Sequence, residues 1–331
     1  MNRGKQNIDM PRLTVEQLLK DKSEFLELYV LQGGTGLRKI IPSNQITRPG
    51  LALAGYTERF SYSRTLILGK TEISYLNSLS KKELEKHLNH FFSFDIPLIV
   101  ITKALEPPQV LLRKADLNNV PVLQTNLTTT EFIIRISSYL DNLFAPRTSI
   151  HGTLVDVYGV GMLYTGKSGI GKSECALDLV ERGHRMVADD VVTIIKKAPD
   201  VIMGVADERI GHHMEIRGVG IIDIEKLFGI RSVRLQKRIE VEVRLEQWDD
   251  SMEYDRLGIE EKYTTILGVE IPVVTIPVSP GKNITVISEV ISMNHMLKVY
   301  GEKPAEKFVQ RLSEALTRRK LTTEYLEADM E

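Results

Sequence analysis

The stretch Gly166-Lys167-Ser168-Gly169-Ile170-Gly171-Lys172-Ser173 decides how this chain is read. It matches G-x-x-x-x-G-K-[ST], a loop whose backbone amides, lysine ammonium and final hydroxyl cradle polyphosphate and its Mg²⁺. Such a loop works between a strand and a helix, and the flanks supply both. Gly161-Met-Leu-Tyr-Thr165 is short, apolar and β-prone, and Ser173 to Arg182 reads as a helix stopped by Gly183. Phosphate would then sit at a helix N-terminus, where free N–H groups and the dipole favour an anion.

Upstream, His151-Gly-Thr-Leu-Val-Asp-Val-Tyr158 alternates as one strand and Gly159-Val-Gly161 turns the chain, so the loop strand is expected in a hairpin. The usual phosphate loop instead follows parallel strands linked through helices. Downstream, Arg185-Met-Val-Ala-Asp-Asp190 sets an acidic pair behind a short apolar segment, with Asp190 eighteen residues past Lys172. One helix fills that interval, so the acidic strand is expected alongside the loop strand, its carboxylates beside the phosphates. Phosphoryl transfer has work for both, one orienting a nucleophile and the other assisting a metal-bound water.

In Gly211-His-His-Met-Glu-Ile-Arg-Gly-Val-Gly-Ile-Ile-Asp223, Glu215 and Arg217 stand among glycines that let backbone approach closely. This composition points to a segment packed onto a ligand, with Glu215 giving Mg²⁺ an oxygen to complement Ser173. His212 and His213 lack a third ligand at zinc-like spacing. Arg234 to Glu246 alternates as one half-buried strand with its charges on the wet face. Arg256 and Lys282 are cations in loops, and residues 302–316 form an amphipathic helix.

Before the phosphate loop, strand and helix alternate. Strands are expected at Leu26–Leu31, Arg64–Gly69, Pro97–Thr102 and Val120–Leu123. Helices open at the capping patterns Thr14-Val-Glu-Gln17 and Ser80-Lys-Lys-Glu83, near Pro108, and over Thr130–Phe144. The reading is an α/β layer with a largely parallel sheet. Ala145-Pro-Arg-Thr-Ser149 has the breaker and polar residues of a boundary. The expectation is an N-terminal α/β domain over 1–145 and a phosphate-loop domain over 146–331. Gly33-Gly-Thr-Gly36 reads as a turn, and His87 with His90 as a solvated helix face.

Composition narrows the rest. A chain of 331 residues exceeds one ordinary core, and 42% apolar with 26% charged residues suits a globular protein. With 43 basic and 44 acidic side chains, the net charge of -1 gives no broad reason to expect nucleic acid or a membrane surface. No apolar run approaches the ~18 residues of a membrane span. The single cysteine, Cys175, excludes an internal disulfide, suits a reducing cytoplasm, and reads as a small buried thiol.

Together these motifs resemble the HPr kinase/phosphorylase family, bifunctional bacterial enzymes acting on a serine of the phosphocarrier protein HPr. The likeness is carried by His151-Gly, Gly166–Ser173, Val187-Ala-Asp-Asp190, Met214–Asp223, Asp255-Arg256 and Pro277-Val-Ser-Pro-Gly-Lys282, and in the first half by Ile46-Thr-Arg-Pro-Gly-Leu-Ala-Leu-Ala-Gly55. The resemblance implies active-site roles for His151, Lys172, Asp190 and Arg256, and Mg²⁺ ligands at Ser173 and Glu215. It implies ATP as donor, phosphate as the reverse nucleophile with pyrophosphate released, a cytoplasmic homohexamer, and no nucleic-acid or membrane partner. It also implies a catalytic domain similar to PEP carboxykinase, which would account for the hairpin and the acidic pair. Asp190 would take the serine proton forward and return it in reverse, while His151 would hold the phosphate nucleophile or position Asp190. Nothing in the chain departs from the active-site pattern. The alternative is a small-molecule kinase of carboxykinase type. A GTPase would need N-K-x-D, and a eukaryotic-type protein kinase H-R-D and D-F-G, none of which occurs.

Overall fold

The computed structural model describes residues 12–207, 211–249, 251, 261–302 and 304–315, and its chain divides between Ala145 and Pro146 into two units.

In chain order the first unit contains β1 (Leu13–Thr14), α1 (Val15–Lys22), β2 (Leu28–Gln32), β3 (Ile40–Ile41), β4 (Ile46–Thr47), α2 (Gly50–Leu53), β5 (Thr65–Leu68), α3 (Lys70–Ser78), α4 (Lys81–Phe91), β6 (Leu98–Ile101), α5 (Gln109–Leu117), β7 (Val122–Thr125) and α6 (Thr129–Leu143). The sheet order is β2-β7-β6-β5-β4, parallel except for β2 at one edge. Leu66 and Leu68 enter one apolar core and Ile67 the other. Helices therefore cover both faces, which is why Leu98-Ile-Val-Ile101 is apolar throughout instead of alternating. The expected α/β layer is what forms. Ser80 and Glu83 cap α4 reciprocally, whereas at α1 Thr14 accepts from Gln17 N–H and the Gln17 side chain goes to Asp21. His87 and His90 are tied to the Leu53 carbonyl and the Thr57 hydroxyl, not to each other.

The second unit contains β8 (Arg147–His151), β9 (Thr153–Val157), β10 (Val160–Gly166), α7 (Lys172–Glu181), β11 (Arg185–Ala188), β12 (Val191–Ala198), β13 (Val201–Ala206), β14 (His213–Ile216), β15 (Gly220–Asp223), α8 (Ile224–Phe228), β16 (Gln236–Arg238), β17 (Val241–Gln247), β18 (Lys262–Ile266), β19 (Val269–Val278) and α9 (Ile284–Val299). Residues 304–315 form one more helix. A six-stranded sheet, β11-β9-β10-β17-β19-β18, faces a four-stranded sheet, β16-β13-β12-β8, and β14 pairs with β15. Side chains of the loop strand alternate between two cores: Met162 and Tyr164 meet α7 and α9, while Leu163 packs with Val192, Ile194 and Ile202 of the smaller sheet.

Four expectations change here. The β9–β10 hairpin forms, but its turn is Tyr158-Gly159, both at positive φ (51° and 87°), which suits a two-residue hairpin turn. The strand expected over 151–158 breaks at Gly152, passing from the small sheet to the large one. A Cβ there would lie 2.5 Å from the Tyr164 carbonyl oxygen. The strand expected over 234–246 likewise breaks into β16 in the small sheet and β17 in the large one, and beside the break the Arg238 carbonyl approaches Gly161 too closely for any side chain. Its charges are not uniformly wet: Glu242 is buried and accepts from the Thr165 hydroxyl at 2.7 Å and from Arg244. Finally, β11 is not the direct neighbour of β10, since β9 lies between them.

Candidate active site

Three parallel strands, β10, β17 and β19, end at one edge of the large sheet. Two antiparallel steps through β9 make β11 parallel to them, so the acidic pair emerges at that edge as well. Open α/β sheets gather their ligand chemistry at such edges.

The phosphate loop follows β10. Gly166 has φ 144° and no room for a Cβ beside the Leu245 carbonyl. At Gly169 a Cβ would fall 2.7 Å from Nη2 of Arg217, so the arginine singled out in the sequence covers the loop tip. Gly171 faces open space; as the N-cap of α7 it sits at φ 103°, a left-handed conformation that glycine adopts without strain. The buried Lys172 side chain folds over the loop, its Nζ donating to the carbonyls of Gly166 and Lys167 at 3.3 and 3.2 Å.

Ser173 Oγ donates to Oδ1 of Asp189 at 3.1 Å, and Thr153 Oγ1 donates to the same oxygen at 2.6 Å. Burial raises the Asp189 carboxyl above its ordinary value, against the pull of these two hydroxyls. Hydroxyl and carboxylate are hard-oxygen donors, and the described residues contain no group of three His, Cys, Asp or Glu able to enclose a metal. This corner suits Mg²⁺, which keeps waters and phosphate oxygens in its shell. Asp189 was legible only as half of an acidic pair; the partnership with Ser173 needed the fold.

Asp190 is presented differently. It sits at φ 63° in a tight turn closed by Val191 N–H to the Asp189 carbonyl at 2.7 Å, and its carboxylate is exposed. His151, the last residue of β8, places Nδ1 2.8 Å from the Asp190 carbonyl oxygen. A carbonyl only accepts, so Nδ1 carries hydrogen and Nε2 is left for the acceptor side. His151 and Asp190, far apart in sequence, thus meet. Glu215 lies exposed on β14, whose Met214 packs with Cys175 and Ala176 of α7. Arg256 lies outside the described residues. His212 and His213 approach the Arg234 carbonyl and Asp223, not a shared centre.

A phosphate loop, a Ser–Asp corner and an exposed aspartate at one sheet edge define a phosphoryl-transfer enzyme. Comparison with known proteins narrows the class. Residues 142–312 match the HPr Serine kinase C-terminal domain and residues 13–140 the HPr Serine kinase N terminus. The HPr kinase/phosphorylase of Geobacter sulfurreducens is 48% identical over 300 residues, covering 91% of this chain and 94% of that one. The protein of the same name from Chloroherpeton thalassium is 45% identical, covering 89% and 88%. A solved Hpr(Ser) kinase/phosphatase from Coxiella burnetii, 31% identical, spans 46% of this chain and 99% of its own, with a TM-score of 0.43. The chain belongs to the HPr kinase/phosphorylase family, on the strength of the family models and the full-length relatives.

Proposed function

We propose that this enzyme phosphorylates a serine of HPr with ATP and Mg²⁺, and removes that phosphoryl group by phosphorolysis. The observation that carries the reading is the placement of Lys172 and Ser173–Asp189 at the edge where Asp190 stands exposed beside His151. In the forward direction Asp190 accepts the serine proton as the serine oxygen bonds to phosphorus. The bond from phosphorus to the bridging oxygen breaks, and its electron pair leaves on ADP. Lys172 and Arg256 oppose the charge on the transferring oxygens. Bound at Ser173 and Glu215, Mg²⁺ would supply further charge neutralisation and donor alignment.

In reverse, an oxygen of inorganic phosphate bonds to the phosphoserine phosphorus and the serine oxygen departs. Asp190, now protonated, gives it the proton, and pyrophosphate forms. The relatives' name, kinase/phosphorylase, supports both directions. A cytoplasmic homohexamer with HPr as its protein partner completes the proposal, and no described helix is long and apolar enough to cross a membrane.

The deciding experiment incubates the enzyme with HPr, ATP and Mg²⁺, then with phosphate in place of ATP, reading intact mass. Gain and then loss of one phosphoryl group is expected. Labelled ATP consumed with a small metabolite but not with HPr would favour a carboxykinase-type small-molecule kinase instead.

A further inference from the structure

Along the carboxyl edge of the large sheet the order is Asp189 after β11, Thr153 opening β9, the phosphate loop after β10, Trp248 after β17 and Lys282 beyond β19. Neighbouring strands are ~4.8 Å apart. Trp248 and Lys282 therefore follow strands one and two spacings from the loop strand, on the side away from the acidic pair. Both are held in place. The backbone N–H of Trp248 donates to the Val278 carbonyl at 3.0 Å; Lys282 Nζ donates to the Pro277 carbonyl at 2.9 Å and lies 5.9 Å from the centroid of the indole. A cation at that distance attracts the ring face, weakly at an exposed site. Trp248 nonetheless remains 46% exposed.

Chemistry gives this side of the edge a use. In-line phosphoryl transfer puts attacking and leaving oxygens on opposite sides of phosphorus. On the phosphoryl-transfer reading Asp190 and His151 mark the attacking side, and Ser173 is tied to Asp189 on that same side. In-line geometry then directs the leaving group away from the acidic pair, and on that side of the loop, after β17 and β19, an aromatic ring stands beside a cation.

We propose that Trp248 is the platform on which the purine base of the donor nucleotide stacks, with Lys282 holding the indole. The inference deepens the phosphoryl-transfer reading above and rests on it. Because every base has a π-face, such a platform binds adenine and guanine nucleotides with little discrimination.

Trp248 is the only tryptophan in the chain, so its emission reports on this site alone. ADP should change that emission saturably, while pyrophosphate, which fills the phosphate loop but carries no base, should not. In Trp248→Ala, KM for ATP should rise about tenfold or more, KM for phosphate in phosphorolysis should stay put, and Trp248→Phe should recover most of the ATP affinity. An ATP KM unmoved in Trp248→Ala, an equal loss in both reactions, or pyrophosphate acting like ADP on the emission would overturn the platform. A wild-type enzyme that makes no phosphoserine would sink the HPr reading instead, leaving the emission titration to judge Trp248.

Discussion

His151 donates from Nδ1 to the carbonyl of Asp190 at 2.8 Å, while the carboxylate of that same residue stands 3.9 Å from the same nitrogen. The imidazole thus grips the backbone of the turn that presents the carboxylate. This geometry favours a positioning role over a grip on phosphate. His151→Ala should lower the kinase and phosphorolysis rates by similar factors. A rise confined to the KM for phosphate would assign His151 to the nucleophile instead.

Asp190→Asn keeps the size of the side chain and removes its basicity. Both directions should fall by about 10²–10⁴, the usual worth of general acid–base catalysis. Paired rate measurements check this, and a kinase rate kept within about tenfold would reject Asp190 as the base.

Divalent-ion dependence tests the oxygen corner. Glu215→Gln and Asp189→Asn should each shift the Mg²⁺ activation curve to higher concentration, Asp189 because it holds the Ser173 hydroxyl and Glu215 as the proposed hard-oxygen ligand. An unshifted titration for Glu215→Gln would remove it from the ligand set while leaving Ser173 and Asp189 in place.

Glu289 on α9 is a stability site. It accepts two guanidinium nitrogens of Arg182 at 2.9 and 2.6 Å, with His184 Nε2 at 3.1 Å and the Tyr158 hydroxyl at 3.3 Å. The Arg182 hydrogen bonds, and secondarily His184, hold its carboxyl down from 4.5 to about 2. A depressed folded pKa stabilises above the unfolded value, so this contribution is whole above about pH 4.5 and fades as pH falls toward 2. Glu289→Gln should cost about 1–3 kcal/mol at neutral pH. Thermal unfolding against pH should show the two proteins converging across that acid window.

Burial pushes the Cys175 thiol from 9.0 up to about 11. Alkylation of the native enzyme at mildly alkaline pH should be slower than in denaturant by about a hundredfold or more, because the thiolate is the nucleophile. Rapid native labelling without loss of structure would contradict the buried placement.

Much of this was legible in the sequence because the signals were local. The glycine spacing of 166–171, the helix stop at Gly183 and the cap at Ser80 each depend on neighbouring residues. What stayed hidden depended on strand order. Alternation along 151–158 and 234–246 reads as two continuous strands, and nothing local reveals that the first changes sheet at Gly152 and the second at 239–240, beside Gly161, where neighbouring carbonyls leave no space for a Cβ. Asp189 and Asp190 are equivalent in the sequence; only the turn between β11 and β12 buries one and exposes the other. Trp248 carried no motif, and its interest comes from parallel strands ending together.

Gly152 separates His151 from Thr153 by a single residue, yet places one at the end of the small sheet and the other at the start of the large one. The histidine that grips the Asp190 turn and the hydroxyl that braces Asp189 are therefore joined through a single glycine. Neither sheet can slip without dragging the other, so misalignment of acceptor and donor is opposed by the covalent chain itself.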